Sequence, residues 1–144
     1  MKNIYLIILF SIFYSYCNAE ITIKVINETN TAWDIDIFEQ NTGKGECILN
    51  NNGDAHTFNN MPSNFTIKAT AQDSNLTRGK ALSEKTDNIV LSKDINFPDG
   101  KTVTIYIRTY DCSSQTCPSK RPDHEQGKNN ICYYLKQDPE MLKM

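Results

Sequence analysis

The sequence predicts a small all-β protein, an antiparallel β-sandwich of seven or eight strands held by two disulfides. Two features favour this fold class. Short segments alternate apolar and polar side chains, which is the pattern of strands buried on one face. Clusters of turn-forming residues separate these segments at fairly regular intervals, which is typical of sandwiches and, less closely, of barrels. A helical turn is expected only within residues 76–85.

The strands follow one another closely along the chain. The expected strands cover residues 21–25, 33–37, 46–49, 65–71, 89–91, 102–108 and 131–135. Residues 27–30 and 50–54 form turns, and Gly43 and Gly45 break the chain before the third strand. Residues 98–100 form the turn that launches the sixth strand, and residues 136–144 are expected to fray beyond the last one.

The alternation also assigns the inward side chains. The expected core residues are Ile23, Val25, Trp33, Ile35, Ile37, Phe65, Ile67, Val103, Ile105, Ile107 and Leu135. The same pattern points Tyr106 and Tyr134 outward, where they cluster with Tyr110 and Tyr133 on the last two strands. Such tyrosines are either ordinary residues of a sheet surface or a contact surface for proteins or sugars.

The first mature segment, ITIKVINET at residues 21–29, is followed by Trp33. This stretch resembles the first hairpin of several secreted sandwiches, including aegerolysin-type lipid-binding proteins. The resemblance covers about fifteen residues of a general pattern. It implies a strand–turn–strand beginning and assigns no functional residue.

Residues 1–19 predict a secretory signal peptide. Lys2 supplies the positive charge, an apolar stretch covers residues 4–13, and residues 17–19 end in small side chains. The apolar stretch is shorter than the roughly 20 residues of a transmembrane helix. We therefore expect residues 20–144 to form one secreted domain, extracellular or periplasmic. The abundance of Asn, Lys and Ile is typical of an AT-rich genome and suggests a bacterial effector.

Four cysteines remain after the signal peptide, namely Cys47, Cys112, Cys117 and Cys132. An even number in an exported chain indicates two disulfides, because export delivers the chain to an oxidising compartment. A zinc site is disfavoured, since only one close pair exists and its spacing is C-x4-C. Three connectivities are open, and the sequence does not choose among them.

The charge distribution disfavours nucleic acid as a partner. Residues 20–99 contain seven basic and twelve acidic side chains, whereas residues 100–144 contain seven basic and five acidic ones. The secreted part is therefore mildly acidic with a basic C-terminal portion. Nucleic-acid-binding domains are usually basic overall.

The sequence contains no recognisable catalytic motif, and we expect a non-enzymatic protein without cofactor or metal. His56 and His124 are the only histidines, and no serine lies in a nucleophile elbow. A further alternative is a carboxylate-dependent hydrolase that uses Asp34 and Asp36, which alternation places on one strand face. The simpler interpretation is a solvated outer face.

The segment between Cys112 and Cys132 is the best candidate for a binding loop. Loops of roughly twenty residues in compact domains are usually functional or disordered. The predicted binding residues are Arg108, Lys120, Arg121, His124 and Lys128. A stiff cationic loop suits anionic phospholipid headgroups such as phosphoinositides.

Two alternatives to lipid recognition remain open for this loop. It is also compatible with a protein–protein interaction module, such as an inhibitor or adhesion factor. The third interpretation is a solvated loop whose cations are neutralised locally by Asp123 and Glu125.

Overall fold

A computed structural model describes residues 20–72, 89–98, 100–112, 121–127 and 131–140. These residues form nine strands and no helix. The strands are β1 (Glu20–Asn27), β2 (Ala32–Glu39), β3 (Thr42–Leu49), β4 (Ala55–Pro62), β5 (Asn64–Gln72), β6 (Val90–Asn96), β7 (Thr102–Asp111), β8 (His124–Gln126) and β9 (Ile131–Asp138). The predicted helical turn at residues 76–85 falls outside the described ranges.

The strands form two sheets that pack face to face, which confirms the all-β sandwich. The five-stranded sheet has the order β4-β1-β7-β9-β8, and the four-stranded sheet has the order β3-β2-β5-β6. All neighbours pair antiparallel except β1 and β7, which run parallel from Thr22 beside Thr102 to Asn27 beside Ile107. The prediction of a purely antiparallel sandwich was therefore wrong at this pair, because apolar alternation carries no information about strand direction.

The core lies between the sheets and is built from the predicted inward residues. All eleven predicted side chains are buried, among them Trp33, Ile35, Ile67, Val103 and Ile107. Because alternate residues of a strand point to opposite faces, burying one set leaves the other set on the outer surfaces. Tyr106 and Tyr134 lie on the outer face of the five-stranded sheet, as the alternation predicts.

The expected strand–turn–strand beginning is confirmed, although β1 and β2 belong to different sheets and do not pair with each other as a hairpin. Their connection is fixed by buried polar groups instead of ladder pairing. The Thr29 hydroxyl donates to Asn27 Oδ1 over 2.7 Å and accepts the indole N–H of Trp33 over 2.8 Å. Buried polar groups need such partners, and this connection therefore orients Trp33 at the centre of the core.

Two strands were missing from the prediction, and both are edges of the five-stranded sheet. Among the side chains of β4, Phe58 alone is fully buried, and β8 has only three polar residues. Neither shows a run of alternating apolar residues, because an edge strand needs few buried side chains to complete a backbone ladder.

Two further expectations were wrong. The strand β3 begins at Thr42, so Gly43 and Gly45 lie within a strand instead of breaking the chain. A Cβ atom at Gly45 would lie 2.8 Å from Phe58 Cδ1, so the ring of β4 occupies the space that a side chain would need. The strand β9 continues to Asp138, and residues 136–138 are therefore ordered in the sheet.

Candidate functional site

The predicted binding loop is in part a structural strap that joins the two sheets. We call residues 121–127 the strap. Its β8 segment pairs with β9, and the Leu135 N–H donates to Asp123 O over 3.0 Å. On the other side, the N–H of Ser92 in β6 donates to Pro122 O over 2.8 Å. The strap therefore closes one side of the sandwich, between the edge of each sheet.

Asp123 fixes the strap through three cationic or titratable side chains. Its carboxylate lies 3.1 Å from Lys93 Nζ, 3.2 Å from Arg121 Nε and 2.9 Å from His124 Nδ1. Only 8% of the Asp123 side chain is exposed. Burial alone would raise its pKa, but the hydrogen bonds from His124 and Lys93, with the charges of Lys93 and Arg121, lower that pKa to about 2.

The outer face of the five-stranded sheet carries aromatic and cationic side chains in register. Arg108 of β7 pairs with Tyr134 of β9, and Tyr134 pairs with His124 of β8. The three side chains therefore form a row across adjacent strands, with Tyr106 and Tyr110 on either side of Arg108 along β7. We call these five residues the aromatic face.

Ring contacts organise the aromatic face. The rings of His124 and Tyr134 stack with their centroids 5.4 Å apart and an interplanar angle of 15°. Tyr110 meets Tyr134 edge to face at 5.6 Å. The Arg108 guanidinium lies 4.3 Å from the centroid of Tyr106, which is a cation–π contact. These contacts hold the rings as one partly exposed platform.

The predicted site residues differ in how they are paired. Arg108 forms an ion pair with Glu28, to which its Nε–H also donates a hydrogen bond. This hydrogen bond raises the pKa of Arg108 above its usual value. The Arg121 side chain is 60% exposed although it contacts Asp123. Lys120 and Lys128, also predicted as binding residues, lie outside the described residues.

The positions of the described cysteines do not confirm the two predicted disulfides. Cys112 Sγ and Cys132 Sγ lie 3.2 Å apart at the ends of β7 and β9, beyond the covalent distance of about 2.05 Å. Burial, together with the negative charges of Asp34 and Asp36, raises the pKa of the Cys47 thiol to about 11. Cys117 is not among the described residues, and the two disulfides stay a prediction.

The acidic candidates lie on the opposite side of the molecule. Asp34 and Asp36 occupy the outer face of the four-stranded sheet, beside Ile48 and Glu46 of β3. A separate cavity of about 720 Å³ at the edge of the sandwich is lined by Glu20, Glu39 and Asp94, among others. Within the described ranges, no group of three or more His, Cys, Asp or Glu side chains is placed to hold a metal ion.

Two residues beside the strap, Lys93 and Gln137, were not predicted from the sequence. Lys93 contacts Asp123 from a strand 30 positions away, and Gln137 is only 8% exposed. The signal was available: Ile89, Leu91, Lys93 and Ile95 share a period of two, so Lys93 occupies an inward position. Gln137 continues the inward series of Leu135 in the same way. The predicted strands ended too early to include either residue.

Comparison with protein families, with curated proteins and with solved structures finds no match for this chain. In the part of the chain that the structure describes, no helix is long and apolar enough to cross a membrane.

Proposed function

We propose that this chain is a secreted, non-enzymatic binding protein that attaches to membranes carrying anionic phospholipids. The contact surface is the aromatic face together with the neighbouring cations Arg121 and Lys136. One observation carries the proposal. Arg108, Tyr134 and His124 align across three adjacent strands, so aromatic rings and cationic groups share one surface of the sheet.

This combination suits the boundary between water and lipid. A tyrosine ring is apolar while its hydroxyl is polar, and tyrosines are accordingly enriched at the interfaces of membranes. A Lys or Arg near an anionic membrane contributes about 1 kcal/mol of electrostatic attraction. The opposite outer face carries Asp34, Asp36 and Glu46 beside Lys68. The two faces therefore differ in charge, which favours an orientation with the aromatic face toward the membrane.

Sedimentation with vesicles tests the proposal. We expect the protein, expressed from residue 20, to bind vesicles containing an anionic lipid more strongly than neutral vesicles, and to bind less as salt rises. The double variant Tyr106→Ala/Arg108→Gln removes one aromatic ring and one cation from the aromatic face and should bind at least several-fold more weakly. The matched control is Phe38→Ala/Lys68→Gln, which removes the same chemistry from the outer face of the other sheet.

Equal losses in the two double variants would contradict the proposed surface. Loss in the aromatic-face variant alone, with thermal unfolding unchanged, would support it.

A protein–protein contact is the second candidate, favoured by a specific feature of the same surface. Arg108 and Arg121 each already contact a carboxylate of this chain, which lowers the charge available to lipids. Tyrosine and arginine are enriched at protein interfaces. The vesicle assay separates the two candidates, because a protein-binding surface predicts no sedimentation with anionic vesicles even at low salt.

A further inference from the structure

A pocket opens beside the strap, at the side of the sandwich between β6 and β9. We call it the edge pocket, and its volume is about 530 Å³. Cavities of roughly 300–1,000 Å³ hold small-molecule ligands. Lys93 contributes from β6, Arg121 from the strap, and Lys136 and Gln137 from β9. Both sheets and the strap therefore supply polar groups to one cavity.

The cations of the edge pocket keep donors for a ligand. The Asp123 carboxylate accepts one hydrogen bond from Lys93 and two from Arg121. An ammonium group has three donors and a guanidinium five, so both groups retain unused N–H bonds. Lys136 has no ion pair with any described residue. The carboxylates that line the pocket are Asp123, which is already occupied, and the exposed Glu140.

Gln137 provides the second, independent observation. It is more than nine-tenths buried and lines the edge pocket. Its Nε2 is the one buried side-chain nitrogen or oxygen that has no hydrogen-bond partner among the described residues. Buried polar groups are normally paired, and an unpaired one costs about 1–3 kcal/mol. An acceptor in the pocket would supply the missing partner.

We propose that the edge pocket binds the phosphate group of a small phosphorylated molecule. Three cationic side chains and Gln137, whose amide nitrogen is unpaired, line one cavity, and a phosphate dianion offers several acceptor oxygens to such donors. A guanidinium fork matches phosphate geometry particularly well. The inference goes beyond membrane attachment, because it assigns a phosphate site to a pocket. His124, Tyr134, Arg121 and Lys136 belong both to the proposed membrane surface and to the pocket lining, whereas Tyr106 and Arg108 do not line the pocket.

Titration with inorganic phosphate, followed by two-dimensional NMR at low ionic strength, tests the site directly. We expect saturable shifts at the backbone amides of β9 and the strap. Gln137→Glu is isosteric but places a negative charge in the pocket, and it should weaken phosphate binding by at least about tenfold. The matched control Gln72→Glu changes a partly buried glutamine of β5 in the same way, and it should leave phosphate binding unchanged.

Gln137→Leu separates a binding role from a structural one. If the amide serves a ligand, this variant loses phosphate affinity yet unfolds at the same or a higher temperature than the wild type, because a buried unpaired group has been removed. Non-saturable shifts in the wild type would overturn the proposal. So would unchanged phosphate affinity in both Gln137 variants.

A second arm identifies the source of the phosphate. If the pocket binds a lipid headgroup, vesicles containing a phosphoinositide should compete with inorganic phosphate. If the pocket binds a free metabolite, the soluble inositol phosphate should compete and the vesicles should not. The variant Tyr106→Ala/Arg108→Gln should bind vesicles more weakly and inorganic phosphate as tightly as the wild type. Failure of membrane attachment and failure of the edge pocket are therefore distinguishable.

Discussion

Replacing Asp123 by Asn tests the electrostatic account of the strap. The substitution keeps the shape of the side chain and removes the charge that Lys93, Arg121 and His124 contact. The pKa of Asp123 falls from 3.8 to about 2 in the folded protein. At about 1.36 kcal/mol per pKa unit, this shift corresponds to about 2 kcal/mol of stability at neutral pH.

The sign of the pH dependence follows from the direction of that shift. A depressed pKa means that the folded state binds fewer protons than the unfolded state as the pH falls through this range. The contribution of Asp123 is therefore complete above about pH 5 and is lost progressively toward pH 2. The Asp123→Asn variant has no carboxylate at this position, so its stability lacks this pH-dependent contribution.

Urea unfolding of both proteins at several pH values measures the effect. We expect Asp123→Asn to be about 2 kcal/mol less stable than the wild type at pH 7, and the difference to shrink toward zero near pH 2. Asp36→Asn, which removes a carboxylate without an ion pair to any described residue, is the control and should show little difference at any pH. A stability difference for Asp123→Asn that stays constant with pH would refute the reasoning.

Two other predictions concern packing and thiol chemistry. Gly45→Ala places a methyl group against the ring of Phe58 and should lower the free energy of unfolding by about 1–3 kcal/mol. The control Gly43→Ala has open space around its Cβ and should leave the free energy of unfolding nearly unchanged. Equal losses of stability in the two variants would contradict the packing argument. Cys47, whose pKa is about 11, should be alkylated about a hundredfold more slowly at pH 8 in the folded protein than in urea. Mass spectrometry measures the labelling, and failure to label in urea without reductant would instead place Cys47 in a disulfide.

The central part of the fold could be predicted because its strands bury one face. Trp33, Ile35 and Ile37 alternate with acidic residues, and a period of two fixes which side chains point inward. Two kinds of information were missing from that pattern. Alternation does not reveal which strands pair, so the parallel neighbours β1 and β7 were unexpected. It also fails at edges such as β4, where Phe58 is the one fully buried side chain.

The candidate site, too, could be predicted from the sequence only in part. The sequence placed Tyr106 and Tyr134 outward, and it singled out Arg108 and His124 as binding residues. It did not bring Tyr110 and Tyr134 together with Arg108 and His124 in one binding site, because only the register of β7, β9 and β8 shows that they are neighbours. The burial of Asp123 was also out of reach, since its partner Lys93 comes from the other sheet.

The most direct test of membrane attachment is to ask which face of the sandwich meets the lipid. A tryptophan introduced as Tyr106→Trp reports on the aromatic face, and Phe38→Trp reports on the opposite outer face, while Trp33 stays buried in both proteins. Fluorescence is then measured with anionic vesicles whose acyl chains carry bromine, a short-range quencher. The account predicts strong quenching of the Tyr106→Trp protein and little additional quenching of the Phe38→Trp protein. Equal quenching of both, or quenching confined to Phe38→Trp, would contradict it.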